Sequence, residues 1–288
     1  MSGAAQKSES SGREVSRPRF VFVRRHAALT RLTHWLNALC FFLLLMSGLQ
    51  IFNAHPALYW GNVSDFQNPL ASIGVKADAA GVKRGVTTVL GHAFDTTGVL
   101  GLTALPDGRT IARAFPAWAT LPGWQSLADG RRWHFFFAWA LALNGALYLV
   151  YSLLSRHLWR DLVPSRLELA HIGRTFWDHL RLRFPKGEEA RRYNVLQQIT
   201  YLAVIWVMFP LLIVAGLAMS PYLDAAFPWL PGLFGGRQAA RTVHFLLAFA
   251  LVIFVIVHVL MVVLSGPWNN LRAMVTGRFR IEEGKSDV

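Results

Sequence analysis

The sequence predicts an all-α integral membrane protein, a four-transmembrane-helix bundle with a long outer loop between helices 1 and 2. Three observations carry this fold class. Of the 288 residues, 53% are hydrophobic and only 16% charged, against about 25% charged in soluble domains, and the mean hydropathy is +0.35. Four apolar runs lack Asp, Glu, Lys and Arg in their middles, and each reaches the roughly 20 residues needed to cross a hydrocarbon core. The basic residues behind the formal charge of +13 flank these runs, which turns the basic balance toward membrane topology and away from nucleic acid.

Taken in chain order, residues 1–18 are rich in Ser, Gly and charge and read as a disordered tail. No short apolar stretch with a small-residue cleavage site follows, so a signal peptide is not expected. The membrane domain is expected over residues 19–280. Its spans fall at about 32–52, 133–154, 198–219 and 242–264, with a last tail at 281–288. The connection 53–132 is long and mixed, and its stretch 74–108 has no strong periodicity, so short helices and turns are expected there. The connection 155–195 is basic, and 220–241 reads as an interfacial turn. In the third span, Pro210 and Gly216 are candidate bending points, since neighbouring helices re-satisfy backbone groups that proline frees. The N-terminal segment, the 155–195 connection and the C-terminal tail hold 20 of the 29 Lys and Arg. By the positive-inside rule both termini are cytoplasmic and the 53–132 loop is periplasmic, as in a multi-pass protein of a bacterial inner membrane. The one cysteine, Cys40, lies in an apolar run and excludes a disulfide framework.

Four of the ten histidines carry chemistry. His244 and His258 are 14 residues apart on the fourth span. That is about 21 Å of rise with both rings on nearly one face. His34 opens the first span at the cytoplasmic level, and His134 opens the second at the outer level. Topology then pairs His134 with His244 outside and His34 with His258 inside. Two pairs at two depths are what two bis-histidine haems require of a helix bundle. His258 lies inside an apolar run, where an ionisable side chain is costly and marks function. A lone histidine near an interface is more often a polar cap, and His26, His157, His171, His179, His55 and His92 are read that way. His171 and His179 keep a minor alternative as lining of a quinone pocket.

Arg31, Arg131 and Arg241 each precede a candidate ligand by three residues, which puts both on one helix face. They are candidate partners of haem propionates through charge-assisted hydrogen bonds, with snorkelling to headgroups as the alternative. Gly48 and Gly145 fall nearly in phase with His34 and His134 and would leave room for a flat porphyrin, although small residues are also routine at helix contacts. The third span has no histidine and is expected to complete the bundle without ligating.

The segments THWLNALCFFLLLMSGLQIF, RRWH and VHF…VIVHVL resemble the bacterial cytochrome b561 and nickel-hydrogenase cytochrome b family. NAHPALYWG and RRYNVLQQITYL look most like its thiosulfate reductase cytochrome b branch. The resemblance implies a di-haem cytochrome b subunit with His34, His134, His244 and His258 as axial ligands of two haem b groups. It implies electron transfer between the quinone pool and a periplasmic oxidoreductase, often of the molybdopterin type, docked on the outer loop. Such a chain is an electron-transfer subunit rather than a catalyst on its own. The alternatives are a stand-alone b561-type quinol oxidase, against which the long loop argues, and a histidine-based metal-ion transporter, against which the lack of acidic residues in the spans argues.

Overall fold

The computed structural model describes residues 19–105, 107–181 and 194–283. The expected tail 1–18 and residues 284–288 lie outside them. The frame is four long helices: α1 (Ala28–Phe52), α2 (Leu127–Leu154), the third span Val195–Ala218, and α9 (Arg237–Leu264). Their outward faces carry Leu39, Phe42, Phe136, Leu143, Leu246, Ile253, Ile256 and Leu260, all exposed. Their inward faces bury Thr33, Ser47, Gln50, Asn144, Ser152 and Gln198. This inversion suits a solvent of hydrocarbon, in which backbone groups are satisfied within helices and polar side chains turn inward.

Each helix begins before its expected span. The early residues, Arg31 in α1 or Arg131 and Arg132 in α2, are polar enough to end a hydropathy run but remain helical beyond the hydrocarbon. Ser126 caps α2 by accepting from the Asp129 N–H at 3.3 Å. The third span is composite: α5 (Val195–Leu202), a π-helical stretch Ala203–Met208, then α6 (Phe209–Ala218). Pro210 follows the π-helical stretch. It has no N–H and crowds the carbonyl four residues back, so the widened turn accommodates it.

The 53–132 connection differs from expectation, because it is a β module. Strands β2 (Ala57–Leu58), β3 (Ala71–Ala77), β4 (Lys83–Val89) and β5 (His92–Asp95) form an antiparallel sheet in that order. Strands β6 (Gly101–Ala104) and β7 (Thr110–Arg113) form a hairpin across it. Gly101, at φ +82°, permits the crossing: a Cβ there would lie 2.4 Å from the Gly74 carbonyl oxygen. Phe52, Leu58, Ala114 and Phe115 form the module's core, with Phe245 and Phe249 packed against them. The module is therefore seated on the ends of α1 and α9. Gly236 completes the seat, since a Cβ on it would strike Gly61 at 2.4 Å. The Gly61 carbonyl in turn accepts from the first-turn N–H groups of Gln238 and Ala239 at 2.9 and 3.1 Å.

At the opposite end, β1 (Arg19–Arg24) pairs antiparallel with β8 (Arg278–Glu283), Val21 opposite Ile281. The two ends of the described chain therefore lie side by side, and the boundary expected at 281 falls inside a strand. Beside them lies α10 (Pro267–Thr276). Between α2 and the third span come a π-helical turn, Leu158–Leu162, then α3 (Arg166–Ala170) and α4 (Ile172–Leu180). The short connection before α9 holds α7 (Pro221–Ala226) and α8 (Trp229–Gly232). The molecule thus has a module end and a terminal end.

Candidate cofactor sites between the helices

The bundle brings the four histidines together as two pairs. His134 of α2 faces His244 of α9 near the module end, ring centroids 6.1 Å apart and planes at 64°. His34 of α1 faces His258 of α9 near the terminal end, centroids 6.3 Å apart and planes at 54°. A first-row metal sits about 2 Å from an imidazole nitrogen, so two imidazoles on opposite sides of one iron have ring centres about 6 Å apart. Both pairs have that separation.

The module-end pair is held by a device that occurs twice. Nδ1 of His134 lies 3.2 Å from the Leu44 carbonyl oxygen and 3.1 Å from Ser47 Oγ. Nδ1 of His244 lies 2.9 Å from the Leu212 carbonyl oxygen. A glycine stands four residues after each carbonyl. A Cβ on Gly48 would sit 3.3 Å from Cε1 of His134, and one on Gly216 would sit 3.2 Å from Cε1 of His244. The missing side chain opens the groove in which each ring reaches the backbone. A ring that donates Nδ1–H to a carbonyl keeps Nε2 free as an acceptor, the tautomer that metal-binding histidines use. At the terminal end, Nδ1 of His34 is buried with no hydrogen-bond partner among the described residues, and the ring of Phe254 stacks on His258 at 5.7 Å.

The other expected site residues are placed as follows. Gly48 lies against His134, and Gly145 has open space within 4 Å of where its Cβ would be. Arg31 donates Nη1 to the carbonyl of Val275 in α10. Arg241 donates to the carbonyl of His55 and lies 5.5 Å over the Phe52 ring. Burial, and then the Arg241 charge, hold His55 below its ordinary value. Arg131 is exposed, with its guanidinium 5.4 Å over Phe135. Arg31 and Arg241 tie α10 and the module to the bundle.

Sequence reasoning missed Ser47, Gly216 and the Leu44 and Leu212 carbonyls. The third span, expected to complete the bundle without ligating, supplies half of the repeated device. Gly216 read as a bend and is instead a contact surface. The only signal in the sequence was a glycine within an apolar helix, which many packing contacts share.

A relative from Azospira oryzae, named there as a candidate protein-methionine-sulfoxide reductase subunit, YedZ1, is 38% identical over 162 residues, covering 56% of this chain and 77% of its own length. Its name is that of a methionine sulfoxide reductase subunit and not of a thiosulfate reductase, so the expected branch is not carried forward. The family described as prokaryotic cytochrome b561 matches residues 25–277, from the end of the first strand to the close of α10. With four apolar helices of spanning length and that match over most of its length, the chain is a membrane protein belonging to the prokaryotic cytochrome b561 family, whose members hold haem b.

Proposed function

We propose that this chain carries electrons across a bacterial inner membrane on two haem b groups. His134 and His244 ligate one at the module end, and His34 and His258 ligate the other at the terminal end. The carrying observation is the pair of facing imidazoles at each of two depths, separated by 6.1 and 6.3 Å. Bound haem would supply a reversible one-electron change at iron, tuned by ligand, hydrogen bonding and burial. The protein's own work is to fix ring orientation through the Leu44 and Leu212 carbonyls and to exclude water with the apolar bundle.

The charge distribution supports an orientation with the termini in the cytoplasm and the β module in the periplasm. Electrons then pass between a quinone near the terminal-end pair and an oxidoreductase subunit docked on the module. Trp60, Phe66, Trp118 and Trp124, all exposed at the module end, offer a surface of interface type. The name of the Azospira oryzae relative supports an oxidoreductase partner that acts on an oxidised substrate. A molybdopterin-type enzyme remains the proposed class.

In sealed liposomes containing a lipid-soluble quinol, the haem-loaded protein is expected to reduce ferricyanide in the outer compartment. Haem-loaded protein that leaves external ferricyanide untouched would overturn the transmembrane part of the reading.

A further inference from the structure

At the terminal end a cluster of polar groups is used by neither histidine pair. After α2 the chain turns back at Arg156 (φ +57°) and enters the π-helical turn Leu158–Leu162. Leu158 and Leu162 are buried at 7% and 2% exposure and plug the turn into the bundle. Single widened turns of this kind recur at functional sites. The plug presents His157 and Asp161 together, Nδ1 to Oδ2 2.7 Å, with side chains 14% and 32% exposed. Tyr148 and Tyr151 of α2 flank the imidazole at 6.5 and 6.3 Å between ring centroids.

Arg160 also donates to Asp161. Burial raises this carboxyl, but the hydrogen bonds from Arg160 and His157 outweigh it and hold the group below its ordinary value. Asp161 is therefore an anion that orients the imidazole. From the third span, Gln198 donates Nε2 to the Asp161 carbonyl at 3.3 Å. Gln198 is only 6% exposed, and among the described residues its Oε1 has no hydrogen-bond donor. His26, just before α1, is within electrostatic reach of both His157 and His34, which ties the cluster to the terminal-end pair. The rim is apolar and open to lipid, with Leu154 81% and Trp159 65% exposed.

We propose that His157, Asp161 and Gln198 form the site at which a lipid-borne quinol exchanges protons, with His157 as the proton acceptor. This rests on the di-haem reading above. A neighbouring electron-carrying level, a base backed by a carboxylate, a buried acceptor for an O–H group and an entrance from lipid together describe a carrier that moves electrons and protons in one step. Oxidation of a hydroquinone here breaks its two O–H bonds. One proton passes to His157 and the other to water at the membrane surface. Ferric haem bound at the two histidine pairs would take up the two electrons one at a time, and the quinone would return to the bilayer.

The test uses haem-loaded full-length protein in lipid nanodiscs, reduced by decylubiquinol and followed at the haem absorption bands. His157→Gln and Asp161→Asn are expected to keep their haem and their full reduction by dithionite. The quinol-driven rate should fall about a hundredfold for His157→Gln and less for Asp161→Asn. Loaded variants reduced by quinol at the wild-type rate overturn the proposal. Where a variant fails to load haem, the wild-type protein decides: an azido-ubiquinone photolabel should map to residues 148–162 or 194–206, and labelling confined to other segments overturns the proposal. Wild-type protein without haem would sink the di-haem reading, and this inference with it; a loaded protein with unaltered quinol kinetics sinks this inference alone.

Discussion

Gly216 is a residue whose whole contribution is an absent side chain. Its Cβ would meet His244 at 3.2 Å, tighter than ordinary contact, and the only relief is to push the ring away from the Leu212 carbonyl. Gly216→Ala is expected to weaken haem retention at the module-end pair and to broaden its spectrum, while the terminal-end pair is unchanged. Low-temperature spectra and haem content per chain check this. Asn144 illustrates a different economy. It is buried, donating to the Thr33 carbonyl at 2.9 Å and to Asn37 Oδ1 at 2.6 Å, and so ties α2 to α1. Interhelical hydrogen bonds in membranes are modest, so Asn144→Ala should cost about 1 kcal/mol in a reversible unfolding titration in mixed micelles. The four histidines were legible in the sequence because an ionisable side chain in an apolar run has few uses and because a 14-residue spacing keeps one face. Most of the groups that hold the module-end pair were not: two are backbone carbonyls, Ser47 and Gly216 do not declare their partners, and Gly48 was named only as room for a porphyrin and not as the groove of His134.

The β module depends on a buried cation. Arg113 in β7 is 5% exposed. It donates to the Gly123 carbonyl at 2.7 Å, to Gln50 Oε1 at 2.7 Å and to Thr120 Oγ1 at 2.6 Å. Gln50 belongs to α1, so this one guanidinium joins hairpin, loop and helix. Arg113→Ala strands three buried acceptors and should destabilise the module by about 3 kcal/mol, seen as faster proteolysis within residues 53–126 with the spans intact. The module was not readable as strands. β3 and β4 are largely exposed or half-exposed on both faces, and β5 is exposed throughout, so the alternation that betrays a half-buried strand is missing. At the other end, His26 at the junction of β1 and α1 is held down to about 4, chiefly by burial and then by the charge of Arg25. The folded junction therefore binds fewer protons than the unfolded chain between about pH 6.5 and 4. Its contribution is complete above the unfolded value and is lost as the pH falls through that window. Acid titration of hydrogen exchange in β1 and β8 should show this loss, and His26→Gln should flatten it.

Across the whole molecule, the bundle solves two problems with one set of helices. It hides polar groups from lipid, and it sets two histidine pairs near opposite ends of α9, whose residues 244 and 258 are about 21 Å apart along the axis. Helix number and approximate span positions followed from apolar run lengths. The β pairing of the chain's two ends did not, because RFVFVR is only a four-residue apolar run between arginines and its partner strand lies more than 250 residues away. The modular plan separates the parts: the module end presents an aromatic surface, the bundle between holds the two histidine pairs, and the terminal end gathers His157, Asp161 and Gln198.

The most direct measurement is the pyridine haemochrome content of the purified chain, made together with His134→Ala and His258→Ala. The expected result is two haem b per wild-type chain and one in each variant, with the low-spin spectrum of the remaining haem preserved. A folded wild-type chain that holds a single haem, or variants that each keep both, would contradict the pairing of these four histidines.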